Sequence, residues 1–288
     1  MRDYEQLDQD LETIQDLKVE LNATAEELGH KLYRMAIKYG TWDPQEIDLS
    51  QDRIDFEKLD ANKRDYLIHF CTGFWNAEEN VALQFCPWIM IAPTVSQQAY
   101  LSTQLVEEFK HTEFFQRYFE EVLQCGRETK VLNVVHESLD QRAKQLIAAL
   151  DKDEDERTMV MIEGIVHYQG MIEGVQAMVG YEVFEAAYGQ YGLFPGLQEG
   201  FKQIKRDEGR HVGYGLRMMK NFARDAKYAK RILELHEEFL PQILVRYDQP
   251  LIVRGREIQP PAELNGKERI QKMFEKRLKD ILGELQTV

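Results

Sequence analysis

Apolar residues recur at intervals of three and four along most of this chain, the period of amphipathic helices. That pattern predicts helices near 24–39, 60–84, 94–124, 131–150, 154–189, 196–224, 226–247 and 263–284. Stop signals separate them: Gly40, Pro87 with Pro93, Gly126, Gly192 with Pro195, and the stretch from Asp248 to Pro261. Alternation with period two is nowhere sustained, although Gln249 to Arg254 suits a short strand or an extended connection. The fold class read from this pattern is all-α. No repeat of solenoid length is visible, and residues 1–288 read as one domain. The run 1–22 is acidic and weakly amphipathic, which suits a loosely packed N-terminal extension.

Four of these helices carry residues that share one chemistry. They hold Glu78, then Glu108 with His111, then Glu173, then Glu208 with His211. Residues three apart lie on one helix face, so each Glu-x-x-His pair offers a carboxylate and an imidazole to a single point. Two such pairs, each matched with a lone Glu on another helix, form the ligand set of a carboxylate-bridged dinuclear metal site inside a four-helix bundle. Two sequential helix pairs joined by a crossover helix give the ferritin-like arrangement, here with additional helices. Oxygen and imidazole donors suit iron, manganese or zinc.

One Glu-x-x-His pair means little, because chance alone gives roughly one in a chain of this composition. A third pair, Glu27 with His30, follows Thr24 and reads as a helix capping box, so it is set aside as a ligand pair. Around Glu108 and His111 stand Leu105, Val106, Phe109, Phe114 and Phe115. In so apolar a helix the charged pair is expected to face inward, where a buried carboxylate or imidazole needs a partner or a metal. Glu208 and His211 lie in a polar stretch and gain weight only from the rest of the set.

Composition narrows the partners. A net charge of −14 disfavours nucleic acid and anionic membrane surfaces. Cys71, Cys86 and Cys125 are odd in number and sit in apolar surroundings, the usage of small core residues in a reducing cytoplasm. The start, Met1-Arg2-Asp3-Tyr4-Glu5, is charged and unlike a signal peptide. The most hydrophobic stretch, Phe85 to Ala92, contains Pro87, ends at Pro93 and is too short to span a bilayer. The expectation is a cytoplasmic protein with no integral membrane segment.

Five stretches go further than spacing. They are Trp42 to Asp55, Ala77-Glu78-Glu79-Asn80-Val81, Glu107-Glu108-Phe109-Lys110-His111, Tyr168-Gln169-Gly170-Met171-Ile172-Glu173-Gly174 and Asp207-Glu208-Gly209-Arg210-His211. Together they resemble the radical-generating small subunit of class I ribonucleotide reductase and, within that group, the related ligand-binding oxidases. The resemblance extends over roughly residues 24 to 285. It implies a first metal, often manganese, at Glu78, Glu108 and His111, and a second, iron, at Glu173, Glu208 and His211; two iron ions are the alternative. It also implies that Asp207 holds His111 from outside the ligand set, with the Trp42 indole completing the chain.

Two positions separate the oxidase from the reductase subunit. The reductase's radical tyrosine lies one turn past the first histidine, and Phe115 stands there. That excludes a stable radical on this residue, but a manganese–iron subclass of reductase also lacks the tyrosine. The oxidases have a valine three residues after the first ligand and a tyrosine five before the third, joined by an ether bond made with oxygen. Val81 and Tyr168 occupy those places. Taken alone, Val81 reads as a core aliphatic and Tyr168 as a buried tyrosine bonded to a carboxylate. Taken with six ligands in register, they favour the cross-linking pair. Asn80 departs from the family pattern, where a small apolar residue is expected. So does Gly170, which marks a close approach or a local bulge.

The resemblance therefore implies a dioxygen-activating oxidase, a homodimer, whose ligand is a long-chain fatty acid or similar lipid with its carboxylate on the metals. The competing readings are a reductase small subunit without the radical tyrosine and a non-enzymatic ferritin-like metal-binding protein. The tail Leu282 to Val288 lacks a tyrosine for radical transfer, and the additional helices are foreign to ferritin cages.

Overall fold

Thr24 opens the first helix as the sequence leads one to expect. Its hydroxyl accepts the Glu27 N–H at 3.2 Å, and the Glu27 carboxylate accepts the Thr24 N–H at 2.7 Å. His30, one turn on, is exposed and takes no part in a metal cluster among the described residues. The computed structural model describes residues 24–127, 138–260 and 264–283. The N-terminal run 1–22 and tail residues 284–288 lie outside them.

The helices are α1 (Ala25–Tyr39), α2 (Ser50–Lys58), α3 (Ala61–Gln84), α4 (Cys86–Ile91), α5 (Val95–Tyr118), α6 (Leu139–Ala149), α7 (Glu154–Ile165), α8 (Met178–Ala187), α9 (Pro195–Phe222), α10 (Ala226–Leu244) and α11 (Gly266–Leu282). A π-helical segment, Val166–Ala177, joins α7 to α8 without a break, and a shorter one, Phe119–Leu123, extends α5. Asp60, Thr94, Asp153 and Asp225 cap α3, α5, α7 and α10 through their side chains. The long helices α3, α5, α7–α8 and α9 form the bundle. Helix α5 packs on both α1 and α3, and α9 packs on the π-helical segment. Phe114, Phe115, Leu197 and Ile204 are wholly buried between them. Phe115 stacks on Phe74 with ring centres 5.6 Å apart.

Helix α9 cannot cap itself. The residue before it, Phe194, is held at φ 57°, and Pro195 opens the helix. The cap comes from α2, where Asp52 accepts the N–H groups of Gly196 and Leu197, both at 2.7 Å, and Asp55 accepts that of Phe194 at 3.2 Å. A side chain at position 196 would place its Cβ 2.6 Å from the Asp48 carbonyl oxygen, so only glycine allows the two segments to meet. A helix with no obvious apolar stripe thus positions the one that carries Glu208 and His211.

Several expectations need correcting. The sequence pattern did not mark α2, and α4 forms despite Pro87 because a proline is tolerated in the first turn. Of the predicted helix near 131–150, Leu139–Ala149 is observed and 128–137 lie outside the described residues. The short strand that Gln249 to Arg254 suits does form, as β1 (Leu251–Val253), and it pairs with an unforeseen β2 (Arg256–Ile258) in a hairpin turning at Arg254 and Gly255, both with positive φ. Only Cys71 is a core cysteine; Cys86 is exposed and Cys125 half-buried. Val106 and Phe109 are exposed, so α5 is apolar on its outer face as well as its inner one. Among the described residues no helix is long and apolar enough to cross a membrane.

Candidate metal centre

Glu108 and His111 leave α5 on one side, and Glu208 and His211 leave α9 on one side, because three residues make nearly a full turn. Helix α3 adds Glu78 and the π-helical segment adds Glu173. All six are buried. Donor atoms of Glu78, Glu108, His111 and Glu208 lie within 4.8 Å of one another, and so do those of Glu108, Glu173, Glu208 and His211. Glu108 and Glu208 belong to both groups.

His111 Nδ1 is 3.3 Å from Glu78 Oε2, 3.6 Å from Glu108 Oε2 and 3.7 Å from Glu208 Oε1. His211 Nδ1 is 3.2 Å from Glu108 Oε1, 3.3 Å from Glu173 Oε1 and 3.7 Å from Glu208 Oε1. Donors roughly 2.1 Å from a cation stand about 3 Å apart when they meet it at right angles. The observed separations are close to that spacing.

Four carboxylates crowded out of water repel one another. Burial pushes Glu78 up to about 8 against the pull of His111. Burial raises Glu173 well above its ordinary value, and the charge of Glu208 adds to it; burial raises Glu208 as well. Glu108 differs: burial acts to raise it, but hydrogen bonds from His111 and His211 hold it well below the usual carboxylate range. Both imidazoles are raised despite burial, His111 chiefly by Asp207, Glu108 and Glu78, and His211 chiefly by Glu173, Glu107 and Glu108. Two divalent cations would balance the four carboxylates beside two neutral imidazoles. Buried Glu173 Oε2 and Glu208 Oε2 meet no hydrogen-bond partner among the described residues, as befits oxygens left for a cation. The donor set therefore fits a pair of manganese or iron ions.

Each histidine meets a carboxylate on its far side. His111 Nε2 is 3.3 Å from Asp207 Oδ2, which also accepts from the Trp42 indole at 2.7 Å and from Lys110 at 3.2 Å. His211 Nε2 is 2.8 Å from Glu107 Oε2. Arg210, with no solvent exposure, ties the two carboxylates together, reaching Glu107 Oε1 and Asp207 Oδ1 at 2.5 Å each. Sequence reasoning assigned Asp207 and Trp42 but missed Glu107 and Arg210. The signal was present: an acidic residue precedes the Glu of both Glu-x-x-His pairs, and each acid crosses to the other helix's histidine. Gly40 makes room for this network, since a Cβ there would fall 2.3 Å from Glu107 Oε1.

Tyr168 is buried between Phe85 and Trp88 and donates its hydroxyl to Glu108 Oε1 at 2.8 Å. Gln104 Nε2 reaches both the Tyr168 hydroxyl, at 3.3 Å, and Glu173 Oε1, at 2.9 Å. Val81 is buried one turn past Glu78 and lines a cavity of about 840 Å³ together with Glu78, Glu108, Glu173 and Glu208. Asn80, the departure from the family pattern, is not part of that lining.

The fold is found in solved structures. The chain is similar to an R2-like ligand-binding oxidase with aerobically reconstituted Mn/Fe cofactor, at 26% identity and a TM-score of 0.73, covering 88% of this chain and 92% of that one. It is similar to a single-residue variant of R2-like ligand-binding oxidase with anaerobically reconstituted Mn/Fe cofactor, at 25% identity and a TM-score of 0.76, covering 92% and 96%. A second such variant, aerobically reconstituted, matches at 25% identity and a TM-score of 0.75, covering 91% and 95%. The family model of the ribonucleotide reductase small chain matches residues 23–242, a range that includes all six clustered donors. With that match over most of its length, and with the ferritin-like bundle on which the cluster stands, the chain belongs to the ribonucleotide reductase small-chain family.

Proposed function

We propose that this protein is an oxygen-activating oxidase that carries a manganese–iron or di-iron pair and binds a long-chain fatty acid or similar lipid. One observation carries the reading: the two donor groups share Glu108 and Glu208, and their carboxylates open onto a large cavity that Val81, Phe74 and Ile172 also line. The cavity's volume falls in the range of small-molecule sites, roughly 300–1,000 Å³. Phe70, Phe74, Ile172 and Val183 line it on its way to the hairpin and α11. A chain-like apolar ligand with its carboxylate among the donors suits that shape.

Glu78, Glu108 and His111 would hold the first metal, manganese or iron, and Glu173, Glu208 and His211 the second, iron. Bound there, the pair supplies from dioxygen the two-electron oxidising power that C–H oxidation requires. The rest falls to the chain. Asp207 and Glu107 accept the outer ring N–H of His111 and His211, which fixes each tautomer and turns Nδ1 inward. Trp42, Lys110 and Arg210 hold those carboxylates in place.

In this reading Tyr168 and Val81 become joined. Val81 loses the hydrogen on its Cβ, Tyr168 loses its hydroxyl hydrogen, and one C–O bond forms. The two protons and two electrons end on dioxygen. Burial and the charges of Glu108 and Glu173 raise the Tyr168 phenol well above its ordinary value, so it stays protonated until the reaction, its hydroxyl held by Glu108 Oε1 at 2.8 Å. Intact-mass and peptide mass spectrometry after anaerobic metal loading and exposure to air test this. The expected product is two hydrogens lighter, with residues 81 and 168 on one cross-linked peptide, and Tyr168→Phe binds metal without forming it. Separate, unmodified peptides after full oxidation would favour a reductase subunit that lacks its radical tyrosine.

A cytoplasmic homodimer completes the reading. Val95, Val106 and Phe109 fall on one face of α5 and are exposed, which supports self-association there. Light scattering is expected to give twice the chain mass; a monomer or a cage would contradict it.

A further inference from the structure

Around Glu173 on the π-helical segment, the cavity is lined by Ile172, Ala177 and one neutral polar side chain, Gln176. Gln176 lies three residues past Glu173 on the π-helical segment, is 9% exposed and lines the cavity. Neither its carboxamide oxygen nor its nitrogen meets a hydrogen-bond partner among the described residues. Leaving both ends of a buried amide unpaired is costly, and such a group in a native protein calls for an explanation. Gln169 is also buried without partners, but it faces α9, where Gly215 packs on its Cβ, and it does not border the cavity. Of these two unpartnered amides, Gln176 is the one that lines the cavity.

We infer that Gln176 is a specificity-determining residue that hydrogen-bonds a hydroxyl or keto group on the ligand, so that the preferred ligand is an oxygenated acyl chain rather than a plain one. The inference rests on the lipid-oxidase reading, which places the carboxylate end at the metals. Gln176 follows Glu173 by three residues on the same segment, and both side chains line the cavity. A ligand carboxylate beside Glu173 thus brings its first few carbons, and not its far end, within reach of the Gln176 amide. A carboxamide both donates and accepts, so it pairs with a hydroxyl or a carbonyl. A saturated chain leaves the amide unpaired; an oxygen substituent at the right carbon satisfies it. Discrimination of this kind is strong because the site's own polar group is otherwise stranded.

The test uses the metal-loaded full chain and three probes: hexadecanoate, 3-hydroxyhexadecanoate and 16-hydroxyhexadecanoate. Affinities come from calorimetric titration, with thermal shift as a second readout. The wild-type protein is expected to bind the 3-hydroxy acid on the order of tenfold more tightly than hexadecanoate. The 16-hydroxy acid should gain nothing from the amide. Gln176→Leu, and Gln176→Met as a second apolar replacement of similar length, should bind hexadecanoate at least as well as the wild type and lose the preference. Equal wild-type affinity for hexadecanoate and the 3-hydroxy acid overturns the inference while leaving lipid binding intact. A preference that survives in both variants overturns it too. If no probe binds the wild type, the inference falls together with the lipid reading.

Discussion

Two kinds of helix build this site. Helices α5 and α9 each present a carboxylate and an imidazole three residues apart, on an α-helical face. The segment between α7 and α8 instead presents Tyr168 and Glu173 five residues apart, on a π-helical face. In an α-helix residues five apart diverge, but a π-helix closes its hydrogen bonds from i to i+5 and brings them nearly into line. Gln104 accordingly reaches both side chains with one amide nitrogen. The α-helical pairs supply the shared carboxylates; the wider turn adds a phenol to the same centre.

The comparison breaks most visibly at the shared carboxylates. Glu108→Ala or Glu208→Ala is expected to lower metal content by at least one ion per chain, because each removes a donor common to both groups. Glu173→Ala removes a donor from one group only, so elemental analysis should find the first metal retained.

A smaller effect separates holding from ligating. Asp207→Ala frees the outer nitrogen of His111, and Glu107→Ala that of His211. Each is expected to weaken metal binding about 10–100-fold without abolishing it. Competition with a chelator measures this, and unchanged affinity in both variants would remove the orienting role.

The π-helical segment has its own probes in two glycines. A Cβ at Gly174 would lie 2.7 Å from the Gln169 carbonyl oxygen, so Gly174→Ala should cost about 1–3 kcal/mol in urea denaturation. At Gly170 the nearest atoms are 3.5 Å away, on the flexible Met219 and on His236. Gly170→Ala should therefore be neutral or stabilising by about 0.4–1 kcal/mol. Equal costs at both positions would mean that the segment does not keep its π-helical turn.

The same contrast explains what the sequence made legible. The Glu-x-x-His pairs could be read because α-helical spacing is fixed, and their setting among apolar residues marked α5 as a core helix. Gly170 signalled a bulge, and it lies inside the π-helical segment, but no local pattern states how many turns widen. Glu107 and Arg210 were given no role from the sequence, since charged neighbours in sequence rarely reveal that they cross to another helix. Helix α2 was missed because its task is to cap α9 through Asp52, a contact across 144 residues that no periodicity records. Glu108 and His111 do face inward as their apolar setting suggested, but Val106 and Phe109, part of that setting, are exposed.

The central claim is that the six donors hold two metals side by side through Glu108 and Glu208. Elemental analysis of aerobically purified protein, joined to anomalous scattering at the manganese and iron edges, tests it most directly. The expected result is two ions per chain, one beside Glu78 and His111 and the other beside Glu173 and His211, with Glu108 and Glu208 reaching both. A single ion, or a second one bound away from these carboxylates, would contradict it.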